Sequence, residues 1–444
     1  MSMLEKALKM LEKYPLCDHC LGRQFALLGH GLENHERGRA IKTVLVLEAN
    51  AQFLSGKRKG IKVLRILAKD ALFKQGKMML HKLKKHMSGD TLPRYCYLCG
   101  DRFKATDRLV DRIMEKLEKY EHRNFIVGVK LPVEVEERED EFKAEFEVQH
   151  GENIRNEFGR TIGKKIAEGT EKAVEHRKPE IVAIVNPMTE EIRLKVNPLY
   201  VAGRYRKLVR GIPQSRWLCS HCRGKGCGEC SGTGKMYSES IEEIIRQPFL
   251  DVTGSVQASF HASGREDIDA LMLGEGRPFV IEIKEPKRRF LDFGRLQEDI
   301  NVRAEGKVKV SDLGFADKEA VRVLKKTESA EKEYRVQMEF EDQITPEDML
   351  LLESRLTKIT ISQRTPTRVL HRRANLTRER YIYEVKVKTL SPRKAEMRIH
   401  CQGGLYVKEL VTGDEGRTRP NISEILGNKA WPLELDVLNV ITVN

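Results

Sequence analysis

The sequence has no stretch of about 18 consecutive apolar residues, the length a helix needs to cross a hydrocarbon core, so no membrane-spanning helix is expected. Its opening, MSMLEKALKMLEKYP, lacks the apolar centre of a secretory signal. It sets Leu4, Ala7, Leu8 and Leu11 on one face, the pattern of an amphipathic helix. No Walker loop and no glycine-rich dinucleotide motif is present, which removes the common nucleotide-driven chemistries. Internal repeats and low-complexity tracts are missing too. Without an export signal the protein is expected in the cytoplasm, where paired cysteines serve as metal ligands rather than disulfides.

What is present begins with size and charge. The 444 residues are 40% hydrophobic, enough to build real cores in roughly two to four domains. Lysine and arginine number 80 against 66 acidic residues, a net charge of +14, which favours an anionic partner, with nucleic acid first. Eight of the nine cysteines fall into four Cys-x-x-Cys pairs. Each pair presents two thiolates from a tight turn, and two pairs complete a tetrahedral zinc site. Cys17 and Cys20 are expected to meet Cys96 and Cys99 through folding. Cys219, Cys222, Cys227 and Cys230 form a second, local quartet. With four sulfurs available at each, the sites are expected to be structural, and His19 and His221 to stand by.

The pattern along the chain is that of an α+β multidomain protein. Residues 1–120 read as a helical zinc-binding module, with helices over Asn34–Leu54, Ile61–His86 and Asp107–Tyr120 and turns after Pro15 and Pro93. The lysine-dense second helix carries a core-facing stripe of Val63, Leu64, Leu67, Ala68, Ala71 and Leu72. Residues 121–215 read as an α/β domain. Strands are predicted at Phe125–Val135, Phe142–Val148, Ile181–Val185 and Ile192–Val196, the last two joined by the turn Asn186-Pro187-Met188-Thr189. A helix is predicted over Ile154–Ala173. The domain closes on PLYVAGRYRKLVRGIPQ, where Arg204, Arg206, Lys207 and Arg210 alternate with Tyr200 and Tyr205. Residues 216–236 form a glycine-rich knuckle, and residues 237–444 a larger unit with strands at Val256–Ala262, Phe279–Ile283, Tyr334–Glu341, Tyr381–Lys388 and Leu435–Val443.

The segment GREDIDALMLGEGRPFVIEIKEPKRR is the best catalytic candidate. A glycine-bounded turn presents Arg265, Glu266, Asp267 and Asp269 between two strands. A carboxylate beside a cation stays ionised and oriented, which suits a nucleophile or base. Tyr334 on a strand, and Tyr406 and Lys408 just past Gly403-Gly404, are further candidates, while His261 and His400 read as ordinary strand residues.

At these residues the chain resembles a known family. Gly264-Arg265-x-Asp267 is similar to the G-R-x-D signature of pseudouridine synthases, and ASGREDID, YVAGRYRKLVRGIPQ and YVKEL occur in the order seen in the archaeal and animal tRNA pseudouridine-54/55 synthases. The resemblance covers nearly the whole chain. It implies a zinc-bearing, RNA-binding N-terminal part with a THUMP domain at 121–215, joined to a mixed-sheet pseudouridine synthase domain. It implies Asp267 as the catalytic aspartate, with Asp269 as the alternative if the turn is shifted. It implies Tyr334 as the residue that stacks on the target uracil and handles protons, Tyr406 and Arg265 as substrate contacts, and Lys408 as the basic partner of the aspartate. It also implies a tRNA substrate, no organic cofactor and no obligate protein partner; the basic segments 61–86 and 203–210 suit a grip on that RNA through phosphates and shape, beside structural zinc.

Two other readings come from the residues. Asp267 or Asp269 with Glu282-Ile283-Lys284 imitates the D…ExK constellation of a Mg²⁺-dependent nuclease. The zinc pairs and basic charge alone also suit a non-catalytic RNA-binding protein.

Overall fold

In the computed structural model, which describes residues 2–83, 94–326 and 330–441, the chain divides into two units between Asn197 and Pro198. The first opens with the expected amphipathic helix, Met3–Lys13. Ser2 caps it by accepting from the Glu5 amide, and the Glu5 carboxylate takes the Ser2 amide in return. Helices Asn34–Leu54, Thr106–Leu117 and Ile154–Thr170 follow near the expected positions. Their sheet runs β2-β1-β3-β4, with β1 Asn124–Val129, β2 Ala173–Val174, β3 Ile181–Asn186 and β4 Glu191–Val196. The β3–β4 turn is held by the Asn186 side chain, which accepts from the amides of Met188 and Thr189. One hydrophobic core, including Leu11, Leu64, Phe125, Phe158 and Ile181, joins the helical residues before 120 to this sheet.

Three expectations in this unit differ from the structure. The helix expected over Ile61–His86 is two helices, Lys59–Lys69 and Lys74–Lys82, with Leu72 between them at φ 51°. At Gly76 an added Cβ would lie 2.9 Å from the Ala68 amide nitrogen, so the chain must turn back closely on itself there. Residues 84–86 and Pro93 lie outside the described residues. The strand expected at Phe142–Val148 is instead the end of a helix, Val133–Glu145. Pro132 precedes it, Glu134 and Glu136 occupy its first turn, and Val135, Glu139 and Phe142 line its buried side. That helical period outweighs the short alternation in PVEVE, and it ends the strand expected over Phe125–Val135 at Val129.

The second unit is built on a ten-stranded sheet. Its strands are β5 Leu199–Lys207, β6 Gln257–Ala262, β7 Leu271–Lys284, β8 Val308–Ala316, β9 Glu331–Phe340, β10 Ile359–Arg364, β11 Thr377–Ser391, β12 Lys394–Cys401, β13 Thr418–Arg419 and β14 Ala430–Ile441. The order is β13-β10-β11-β12-β9-β14-β7-β5-β8, and β6 pairs with β7. Residues 442 and 443 of the expected last strand lie outside the described residues.

The tail expected to close residues 121–215 belongs here. As β5 it pairs with β7 and β8, burying Leu199, Val201, Tyr205 and Lys207 on one face. A strand flanked on both sides loses solvent along its edges, so the period-two set, not the basic residues, decides where it packs. Two cores lie against the sheet, one containing Val336, Leu352 and Met397, the other Val201, Phe249, Phe279 and Ile300. Tyr334 packs against both.

Candidate active site

Between the end of β6 at Ala262 and the start of β7 at Leu271 the chain makes the turn that carries the two aspartates. Gly264 begins it at φ +73°, and a Cβ there would lie 3.3 Å from both Arg277 Nη1 and Lys332 Nζ. No other residue fits without displacing one of these cations. Glu266 turns inward, is buried, and accepts from Tyr205 Oη at 3.0 Å and Arg277 Nε at 2.8 Å. Arg277 Nη1 donates to the Ser263 carbonyl at 2.6 Å.

Two cations, Lys207 at the end of β5 and Arg210 just beyond it, hold the rest of the turn by its backbone. Lys207 Nζ donates to the Ile268 carbonyl at 2.6 Å and the Asp267 carbonyl at 3.3 Å. Arg210 Nη1 donates to the Asp269 carbonyl at 2.7 Å and the Leu435 carbonyl at 3.1 Å. Burial pushes the Lys207 ammonium down to about 8 against the attraction of Glu266 and the two aspartates. The backbone is thereby pinned, and the side chains of Asp267 and Asp269 remain open to solvent, at 36% and 68% exposure.

Those carboxylates meet cations from distant segments. Lys408 Nζ donates to both oxygens of Asp269, at 2.9 and 2.6 Å, and lies 3.5 Å from Asp267 Oδ2. Partial burial works against the Asp269 charge, but the Lys408 bond and charge, with its own backbone amide and the charge of Arg368, together hold the carboxyl below its ordinary value. Arg368 Nη2 lies 3.4 Å from Asp267 Oδ2, while its Nε donates to Glu409 Oε1 at 2.6 Å.

Arg265, the cation adjacent in sequence, makes no ion pair with Asp267 among the described residues. Its guanidinium lies 5.8 Å from the ring of Trp217. For the cation beside the aspartate the sequence offered Arg265 or Lys408; Lys408 is there, Arg265 is not, and Arg368 was not singled out. The available signal was the density of arginine around Pro366, in RTPTRVLHRR.

Tyr334 on β9 is half-buried at the junction of the two cores. Burial, with the charges of Cys401, Asp267 and Glu266, pushes its phenol upward, so it stays protonated at neutral pH. Tyr406 precedes the helix Val407–Thr412 and is fixed by its backbone: its amide donates to Gln363 Oε1 at 2.8 Å and its carbonyl accepts from Gln363 Nε2 at 3.0 Å. The Arg368 guanidinium lies 6.0 Å from the Tyr406 ring, and the Tyr406 hydroxyl accepts from Arg373 at 3.3 Å.

Glu282, needed by the nuclease reading, sits elsewhere on β7, accepting from Tyr200 Oη at 3.2 Å and facing His261 at 3.2 Å. Among the described residues, the convergent groups of three or more potential metal ligands are the two cysteine quartets.

In each quartet the four sulfurs lie within 4.8 Å of one another. Cys17 and Cys99 are 3.7 Å apart, Cys219 and Cys227 3.9 Å, Cys222 and Cys230 3.8 Å. A tetrahedron with Zn–S bonds of about 2.3 Å has edges of about 3.8 Å, so both quartets fit zinc. Backbone amides reinforce the fit by pointing at sulfur: Cys17 N to Cys96 at 3.4 Å, Gly226 N to Cys222 and Gly234 N to Cys230 at 3.2 Å. His19 bonds Glu157 instead of joining the first quartet.

Comparison with known proteins decides the family. Residues 200–441 match the family model described as Pus10, C-terminal, and residues 109–186 the one described as Pus10 THUMP domain, archaeal. The chain belongs to the Pus10 family. The tRNA pseudouridine synthase Pus10 of Methanocaldococcus jannaschii is 45% identical, over 97% of this chain and 93% of that one. That of Methanothrix thermoacetophila is 40% identical over 99% and 94%, and that of Pyrococcus furiosus 38% over 99% and 98%. The Pus10 C-terminal match begins inside β5, two residues beyond the division between the units. The solved structure of a pseudouridylate synthase aligns at a TM-score of 0.21 with 13% identity, over 54% of this chain and 64% of that one, too little to add to the assignment.

Proposed function

We propose that the chain is a tRNA pseudouridine synthase that acts on T-loop uridine, at position 54, 55 or both, with Asp267 as the catalytic aspartate. The observation that carries this reading is the pinned turn, which sets the partly exposed Asp267 carboxylate between Arg368 and Lys408. In the reaction the C1′–N1 bond of uridine breaks, the uracil turns, and a C1′–C5 bond forms. C5 loses its proton and N1 gains one, so atoms and electrons balance without any coenzyme. Asp267 acts on the ribose, as nucleophile or as acceptor of its proton. For either role the two cations on its two sides hold the carboxylate in place.

Tyr334, kept protonated by burial, provides the surface for the extruded base, and stacking of this kind contributes about 1–3 kcal/mol. Tyr406, fixed by Gln363, makes a second substrate contact. Lys408 spans Asp267 and Asp269 and holds the pair in register. Zinc in the two quartets is structural and supplies folding energy. The first unit, through its basic helices, grips tRNA by backbone and shape, and the protein works in the cytoplasm.

The test is to map pseudouridine in an unmodified tRNA transcript with wild type, Asp267→Ala and Asp269→Ala side by side. A wild type that rearranges no uridine, or an Asp267→Ala variant of equal activity, would end this reading.

A further inference from the structure

A cavity of about 570 Å³ opens beside β10 and β13, lined by Ser362, Arg364, Thr367, Glu415, Arg417 and Arg419 among others. Its position follows from strand alternation. Gln363 points to the buried face and holds the Tyr406 backbone, whereas Ser362 and Arg364 point the other way. Directly opposite Ser362 stands Arg419 on β13, and opposite Arg364 stands Thr377 on β11, so all four share the outer face. The short 3₁₀ turn Thr367–Arg372 forms part of the wall with Thr367 and Leu370, while Arg368 between them reaches Asp267. One turn and one strand thus serve the cavity and the catalytic aspartate together.

The three arginines are not equivalent. Arg417 is a strut: it donates to the Thr365 carbonyl at 2.6 Å and to Asn375 Oδ1 at 2.7 Å, and lies 3.7 Å from Asp414. Among the described residues Arg364 gives only its Nε, to Asn375 Oδ1 at 3.1 Å. Arg419 makes no ion pair or side-chain hydrogen bond among the described residues. Two guanidinium groups with donors to spare, beside hydroxyls and one carboxylate, match a phosphate attached to a hydroxyl-bearing sugar. Arginine binds phosphate through paired donors, Glu415 accepts from a ribose 2′-hydroxyl, and the volume lies in the range of small-ligand sites.

We propose that this cavity binds a ribose–phosphate unit of the RNA substrate, with Arg364 and Arg419 on the phosphate and Glu415 on the ribose. It resets where the substrate is held: beside the target uridine, on the turn that carries Arg368, as well as on the first unit. The inference rests on the tRNA pseudouridine synthase reading.

The test uses the full-length zinc-loaded protein carrying Asp267→Ala, so that binding is measured without turnover. The Arg364→Ala/Arg419→Ala pair is expected to weaken tRNA binding about 10- to 100-fold near 0.1 M salt. It should also lower the slope of log Kd against log salt by about 0.7–0.9, the amount that one lost phosphate contact removes. With Asp267 restored, the defect belongs in KM, with the single-turnover rate at saturating tRNA changed less than about threefold. The Arg364→Lys/Arg419→Lys pair should recover the salt slope but only part of the affinity, because a point charge loses the paired donors. Glu415→Ala should narrow the preference for a transcript over one with 2′-deoxyribose in the T loop. Thermal melting of each variant confirms that it is folded. Unchanged affinity and salt slope in a folded Arg364→Ala/Arg419→Ala protein would overturn the cavity assignment while leaving the enzyme reading intact. A wild type that makes no pseudouridine would overturn the enzyme reading first.

Discussion

Lys408 bonds both oxygens of Asp269 and approaches Asp267 from 3.5 Å, so one ammonium serves two carboxylates of unequal need. In the proposed reading Asp269 is the anchor and Asp267 the reactive group. Asp267→Ala is expected to lower the single-turnover rate by about 10³-fold or more, and Asp269→Ala by only about 10- to 100-fold through a released Lys408. Quantitative pseudouridine mapping separates them. Equal losses would mean that the two carboxylates act as one unit.

Arg368 holds Asp267 with one nitrogen and Glu409 with another, and Glu409 is only 7% exposed. Arg368→Ala is expected to cost about 10- to 100-fold in kcat/KM. By stranding Glu409 it should also cost about 1–3 kcal/mol of stability, less than a fully buried pair because Arg368 is 39% exposed. Adding Glu409→Gln should restore most of the stability and none of the activity, as read by urea denaturation and turnover on the same samples.

Lys207 gives a pH signature. Its proton leaves the folded chain near pH 8 and the unfolded chain near 10.5. Below pH 8 both states are protonated and the burial cost opposes folding in full. Between pH 8 and 10.5 the unfolded chain binds more protons, so stability rises with pH, by up to about 3 kcal/mol. Lys207→Met should flatten that rise in denaturation curves taken from pH 7.5 to 10, and should lower activity by leaving the Ile268 carbonyl without its donor. A rise of the same size in the variant would assign it to another group.

The two quartets differ in what they support. Cys20, Cys96 and Cys99 are buried within the core of the first unit, whereas in the knuckle only Cys219 is buried. Cys96→Ser is expected to lower the melting temperature by several degrees, since metal affinity there is folding free energy. Cys227→Ser should leave the main transition within about a degree and instead free Trp217, whose ring meets Arg265 and packs edge-on against Tyr237. With Trp431→Phe removing the only other tryptophan, the emission of Trp217 reports that release directly.

Local patterns were legible in the sequence and distant contacts were not. The four Cys-x-x-Cys pairs and the local knuckle quartet follow from spacing alone, the helix Asn34–Leu54 has the ends its period predicts, and the β3–β4 turn lies where Asn186-Pro187 marks it. The aspartate turn was visible as a glycine-bounded cluster of charge. Its supports were not: Glu266 stood among the turn's candidate charges with no partner assigned, and Gln363 and Arg368 were not singled out. Each acquires its role from a partner far along the chain, Tyr205, Tyr406 and Asp267. The segment 133–145 misled because four residues of alternation preceded a helical stripe, and β5 misled because its arginines looked like a surface.

That last strand has a practical consequence. A fragment cut at 216, where the glycine-rich knuckle invites a cut, would discard Tyr205, Lys207 and Arg210 along with an interior strand. It would expose the bare flanks of β7 and β8 to self-association and leave the aspartate turn without a floor. Any separable catalytic half therefore starts no later than Pro198, and insertions tolerated in evolution should cluster before that residue rather than between it and the knuckle.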